Sequence, residues 1–436
     1  MRVYQGLPPD GETSEEDEQQ VLVAYANGLL AGAHSQAKRS RYSVKRIVVK
    51  RNIREGWHRL RLDYFDPHKV YPDAFFRRRF RVSPRLFCRV ADAVTEYDDY
   101  FKEKENAAGK MGCHPYQKIA ACFKMLATAC TPDSLDREFR MSGSVIMESF
   151  KHFIQGVVDL FEQRYLRSPN ETDIQALLQV AEDRGFPGML GSLDCMHWVW
   201  EKCPVAWHGE HRGHTQKPTI ILEAVVGPDL WFWHAFFGLP GSLNDINVLH
   251  RSPVFDDLAS CNAPAVNFTV NGHHYDMGYY LADGIYPDWA TLIKGVPSPV
   301  TEKQKLFTLK QSAYRKDVER AFGVLQAKFA IVKCPARMFM VADLKNITSC
   351  CIILHNMAVA DERGLPLATT DDFEDATAPV LLPRNVPSIQ TLIANHRKIE
   401  DRGMHHRLQE DLMEHVWNEC GSTWGKDNGL LIACFC

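Results

Sequence analysis

Two regimes of hydrophobic patterning follow one another along the chain. From about residue 57 to 186 apolar residues recur at helical spacing. Between about 191 and 283 they gather instead in short runs bounded by Gly, Pro and Asp, the pattern of strands. In the first helical stretch, 57–105, Phe75, Phe76, Phe80, Leu86, Phe87 and Val90 are the apolar positions. Ser83 as N-cap and Pro84 at the first helical position mark a start within it. Residues 115–162 read as three helices: one opened by Pro115, a short one opened by Pro132, and a longer one after the turn at 141–144. Short helix, glycine turn, longer helix is the outline of a helix-turn-helix. A further helix covers 171–186.

The strand at 191–200 (GSLDCMHWVW) has one carboxylate, Asp194, in an apolar run. A charge there is costly to desolvate unless it is paired or coordinated. Runs at 219–226 and 230–237 flank the tight turn 227–229 and predict a hairpin. With the Asp194 strand they form an antiparallel meander. Asp245 follows at the end of a loop, where it also suits a helix N-cap. A fourth strand at 279–283 ends in Asp283. A long helix at about 312–329 has Val318, Phe322, Leu325 and Phe329 as its stripe and Glu319 on the stripe's edge. A last helix is expected at about 388–417.

Three strands, a helix, a fourth strand and a long helix are the order of a ribonuclease-H-like fold. In that order the first and fourth strands are neighbours, about 4.8 Å apart. Carboxylates at matching heights on them, Asp194 and Asp283, face one site, and a helix laid on the sheet brings Glu319 to it. Each acid also has a plain reading: a buried hydrogen-bonded acid, a turn former, and a salt bridge from Glu319 to Arg315. Together they repel one another unless divalent cations neutralise them. Two Mg²⁺ ions held there, with Mn²⁺ as a substitute, would activate a water or a 3′-hydroxyl and stabilise the leaving oxygen of a phosphodiester.

Charge changes the picture only locally. The 436 residues have a net charge of −3, 45% hydrophobic and 24% charged residues, ordinary for a globular chain of two or three domains. Residues 1–20 are acidic and of disordered composition, and 21–33 suit a short helix. Residues 38–54 are purely basic and include Lys45, Arg46, Lys50 and Arg51, suited to phosphate contacts or a nuclear address. A second basic cluster runs from Arg77 to Arg89. The 13 scattered Cys and the polar start predict a reduced intracellular setting. No apolar run is long enough to span a bilayer. Cys195, His197, Cys203, His208, His211 and His214 look like a zinc cluster, but their spacing fits no ligand pairing. The loop histidines read better as polar loop residues or as contacts to a ligand's phosphates.

Five stretches carry a resemblance: GFPGMLGSLDCMHWVWEKCPVAWHG (185–209), KPTIILEAVVGPDLWFWHAFFGLPGSLNDINVLHRSPVF (217–255), YDMGYYLADGIYPDWA (275–290), RKDVERAFGVLQAKFAIV (315–332) and CIILHNM (351–357). From about residue 57 to 362 the chain resembles transposases of the PIF/Harbinger superfamily, nearest the Ping/Pong-like branch.

The resemblance implies an α/β fold with a ribonuclease-H-like mixed-sheet catalytic core, preceded by an all-α helix-turn-helix-like region. It implies an acidic-triad, metal-dependent transposase that binds terminal inverted repeats, cleaves phosphodiesters at element ends and joins 3′-hydroxyls to an A/T-rich target. The first acid falls on Asp194 and the glutamate on Glu319. Asp245 in GSLNDINVL and Asp283 in LADGIYP both offer the middle acid. Strand order favours Asp283, leaving Asp245 for a second metal. A Myb-like partner, homo-oligomerisation, DNA and a nuclear location are further implications. DNA contacts fall on Lys45, Arg46, Lys50 and Arg51, and on the candidate reading helix from Ser144 to Lys151. The expected organisation is a disordered segment at 1–56, the helical DNA-binding region at 57–165, the catalytic domain at 166–362, and an acidic linker, helix and tail at 363–436. A host-retained nuclease and a non-catalytic DNA-binding or scaffold protein are the alternatives.

Overall fold

A computed structural model of the protein describes residues 49–105, 107, 109–213, 216–364, 387–422 and 424. The expected acidic start, the helix at 21–33, Lys45, Arg46, His214, most of the acidic linker and the tail lie outside the described residues. The described chain opens with helices α1 (Ile53–Tyr64), α2 (Asp73–Phe80), α3 (Pro84–Tyr97), α4 (Pro115–Thr128), α5 (Asp136–Phe139), α6 (Gly143–Tyr165) and α7 (Glu171–Asp183). Ser83 accepts from the Leu86 amide at the start of α3, with Pro84 at its first position, as the sequence predicts. Between α4 and α5 lies the 3₁₀ turn Pro132–Leu135.

Strands β1 (Met189–Val199), β2 (Thr219–Val226), β3 (Phe232–Pro240), β6 (Tyr279–Leu281) and β7 (Leu292–Ile293) form one sheet in the order β3-β2-β1-β6-β7. β1, β2 and β3 are the expected antiparallel meander. β6 runs parallel to β1, and β7 parallel to β6, so the sheet is mixed. A separate small hairpin pairs β4 (Phe268–Val270) with β5 (His273–Tyr275). β1 enters the sheet through a register shift between Met189 and Gly191. Gly191 has φ +154, and a Cβ on it would sit 2.4 Å from the Val226 carbonyl oxygen; only glycine admits that approach.

The intervening helices are α8 (His208–His211), α9 (Asp245–Leu249) and α10 (Asp256–Ala259). After the sheet come α11 (Glu302–Lys328), α12 (Val341–Glu362), α13 (Ile389–Ile399) and α14 (Arg402–Cys420). Three expectations are corrected here. The long helix begins at Glu302 rather than near residue 312, because Thr301 and Gln304 form a capping box that nucleates it three turns earlier. The last helix is two helices: Asp401 accepts from the Met404 amide as a new N-cap, which ends one element and starts another. The fourth strand is also shorter than expected, closing at Leu281.

Side-chain alternation divides the sheet into two faces. Ala224 and Leu222 join a core with Val318, Ala321 and Phe322 of α11 and with α4, α6 and α12. Leu193 and Val225 join Leu249, Phe255, Tyr286 and Ile399 on the other face. The first core runs without a break from Leu60 through Phe161 to Ala360. The N-terminal helices therefore pack onto the sheet and α12 as one body.

Candidate functional site

Asp194 lies opposite Ala224 in the β1–β2 ladder, on the α11 face of the sheet. Its side chain keeps 19% of its exposure. One carboxylate oxygen accepts from the Cys195 amide at 2.8 Å. Arg315, on α11, reaches to 4.0 Å from the other. The same guanidinium nitrogen is 3.0 Å from Glu319, one turn further along. Arg315 thus bridges the strand acid and the helix acid. Ser192 donates to the Tyr314 carbonyl at 3.0 Å, which fixes α11 against β1 beside the two acids.

Asp283 lies two residues beyond Leu281, and Leu281 is in register with Ser192 of the parallel strand β1. Asp194 is likewise two residues beyond Ser192, but the pairing itself ends at Ser192 and Leu281. The chain leaves the ladder before Asp283, which is exposed and accepts from the Gly284 amide at 2.7 Å. Asp245 begins α9, reached from β3, two strands from β1. The N-cap of α9 is Asn244, whose side chain accepts from the Asn247 amide; Asp245 is not needed for that task.

The acids share one electrostatic field. Burial pushes the Asp194 carboxyl up to about 6, the Cys195 amide and Arg315 oppose that rise, and Asp245 and Glu319 add to it. Burial also raises Asp245, where His197 and the Cys195 thiol act against the rise and Asp283 and Glu223 reinforce it. Among the described residues, no three His, Cys, Asp or Glu side chains stand close enough to hold a metal ion as placed. The donor set nonetheless fits one: the candidates are all carboxylates, the hard oxygen ligands that Mg²⁺ and Mn²⁺ take. Arg315 offsets part of the charge of two of them, Asp194 and Glu319.

The remaining sequence candidates fall elsewhere. His197, within β1, bonds to the Thr219 hydroxyl at 3.1 Å, and in α8 His208 bonds to the Cys203 carbonyl at 3.0 Å and the buried His211 to the Thr219 carbonyl at 3.1 Å. Lys50 is exposed, whereas Arg51 is held bidentate by Asp136 of α5 at 2.8 and 2.9 Å. Ser144, Glu148, Lys151, Gln155 and Asp159 form the exposed stripe of α6; the opposite face packs in the core. Sequence reasoning missed Glu223. It is fully buried opposite Cys195, neither of its carboxylate oxygens has a hydrogen-bond partner, and His234 is 3.4 Å away. The signal was a glutamate inside the apolar run TIILEAVV.

Comparison with known proteins places the central region. Residues 163–366 match the family model described as plant transposon protein. Residues 56–95 match a domain of unknown function. Protein ALP1-like of Arabidopsis thaliana is 22% identical over 305 residues, covering 65% of this chain and 70% of its own length. No solved structure matches.

Proposed function

The central region, residues 163–366, is a plant transposon protein domain of the PIF/Harbinger superfamily, and on that premise we propose that the chain is a metal-dependent DNA transposase with a ribonuclease-H-like core. The observation that carries this reading is the pairing of Asp194 and Glu319 through Arg315, with Asp245 in the same field and Asp283 just beyond the end of the neighbouring strand. The strand order, with a parallel fourth strand beside the first, supports the fold assignment.

In this reading Asp194, Asp283 and Glu319 would hold Mg²⁺, or Mn²⁺ in its place, with Asp245 supporting them from the outer edge of the site. Metal held there would supply Lewis-acid polarisation of the phosphodiester and activation of a water or 3′-hydroxyl. Asp194 and Glu319 face the site from strand and helix, and the tie from Ser192 to Tyr314 fixes their separation. Asp283 is the preferred second acid because it follows β6, the strand beside β1. Asp245 approaches from the side of Cys195 and Glu223 and serves the site's outer edge. Lys45, Arg46 and Lys50 contact DNA phosphates, and the helix-turn-helix-like α5–α6 unit, with Ser144 and Lys151 on its exposed stripe, meets terminal repeats. DNA is the substrate and target, a Myb-like protein and further copies of the chain are the partners, and the nucleus is the site of action.

End-labelled DNA bearing the repeats that flank the gene tests this. Nicks at the element ends followed by strand joining, both dependent on Mg²⁺, are expected. Cutting without joining would assign the chain to a host nuclease; binding without cutting would assign it to a scaffold.

A further inference from the structure

A second cavity lies apart from the acid cluster, among the end of α6, the start and face of α7, the β2–β3 turn and the end of α12. Its volume is about 630 Å³, the size of small-ligand sites. Three rings line one wall in sequence. Tyr165 and Trp231 have centroids 6.1 Å apart, and Trp231 and Trp233 5.6 Å apart. Four arginines, Arg164, Arg167, Arg184 and Arg363, also face this cavity, against two carboxylates.

Two features point to a ligand. The indole nitrogens of Trp231 and Trp233 are buried with no hydrogen-bond partner, and Trp231 itself is 9% exposed. A buried indole N–H normally finds an acceptor. The arginines are also held in place: Arg167 bonds Asp173 at 2.7 Å, Arg184 bonds Asp317 at 2.5 Å and Arg363 bonds Asp229 at 2.6 Å. A guanidinium has five N–H donors in a rigid fork, so each pairing leaves donors for an incoming anion. Arg167 also lies 5.9 Å from the Trp233 ring centroid, which puts a positive group beside an aromatic one.

We propose that this cavity binds a nucleotide unit, its base against the tryptophans and its phosphate on the arginines. Aromatic stacking tolerates any base, and arginine forks suit phosphate. The unit is either a free nucleotide or a base extruded from DNA. Only the second source depends on the transposase reading. Arg184 pairs with Asp317, two residues from both Arg315 and Glu319 on α11, so the cavity and the acid cluster share one helix.

The test uses the full chain, without metal, and two fluorescent probes. One is 2-aminopurine nucleoside 5′-monophosphate; the other is a short duplex with a single unpaired 2-aminopurine. Binding should quench the probe by stacking. Trp233→Ala should weaken it about tenfold or more, and Arg167→Ala should do so without removing a core side chain. Quenching of the mononucleotide identifies a free nucleotide as the source. Quenching of the bulged duplex alone identifies an extruded base. No quenching of either probe, or quenching unchanged in both variants, overturns the proposal. Neither outcome bears on cleavage at Asp194, so this inference and the transposase reading fail separately.

Discussion

Arg315 stands between Asp194 and Glu319, one guanidinium nitrogen 4.0 Å from the first carboxylate and 3.0 Å from the second. In the absence of metal it is the charge that holds these two acids together. Arg315→Met should therefore lower metal-free stability by about 1–2 kcal/mol above pH 6, the usual loss of a charged hydrogen bond. Added Mn²⁺ should restore most of it. Thermal melts with and without Mn²⁺ check this; equal melting of variant and wild type without metal contradicts it.

The pH dependence follows from Asp194. Its carboxyl sits at about 6 in the fold, chiefly through burial, against about 4 when unfolded. Between those values the folded state holds the extra proton, so stability falls as pH rises from 4 to 6 and levels off above. The total is on the order of 3 kcal/mol. Denaturant titrations of the metal-free protein should show that fall, and Asp194→Asn should flatten it. Metal affinity should run the other way and weaken below pH 6, where the proton competes.

DNA affinity should depend on the basic N-terminal segment. Replacing Lys45, Arg46 and Lys50 by Gln should weaken binding to all sequences and flatten the log–log salt slope by roughly 0.9 per lost phosphate contact. Arg51 is different, because Asp136 already holds it: Arg51→Gln should loosen α5 more than it changes the salt slope. Binding measured across a salt series separates the two. A triple variant with the wild-type slope would remove this segment from the DNA interface.

The meander was legible because β2 and β3 are apolar runs on either side of one Gly-Pro-Asp turn; the fourth strand beside the first came from the ribonuclease-H-like fold whose element order the chain matches. The start of α11 was not, since its first turns are rich in Lys and Gln and bury only Leu306 and Phe307 before Gln311; the capping pair Thr301 and Gln304 was the available signal. α12 escaped notice as a whole element because it is buried on nearly every side and so has no polar face to set a period. At the site, the ion pair from Arg315 to Glu319 was legible as a one-turn spacing. Its reach to Asp194 was not, because that contact exists only once α11 lies on β1. The burial of Glu223 was likewise a matter of the sheet's faces.

The two middle acids should separate by activity. Asp283→Asn should eliminate cleavage. Asp245→Asn should leave residual cutting, lower by about 10- to 100-fold, as for a group that supports the ligands rather than serving as one. Rates on pre-nicked and intact terminal DNA give the comparison. The reverse order would put Asp245 beside Asp194 as the second acid and would retire the strand-order argument.

The most direct measurement is cleavage of terminal-repeat DNA titrated with Mn²⁺, comparing wild type with Asp194→Asn and Glu319→Gln, each checked by circular dichroism and melting. Both variants should fold: Asp194→Asn with stability equal to or above wild type, since it removes a buried charge, and Glu319→Gln with a loss of no more than about 1 kcal/mol, since it gives up a half-exposed ion pair with Arg315. Both should lose metal-dependent cutting at every Mn²⁺ concentration. Cutting by either folded variant at the wild-type rate would contradict the assignment of Asp194 and Glu319 to the metal centre.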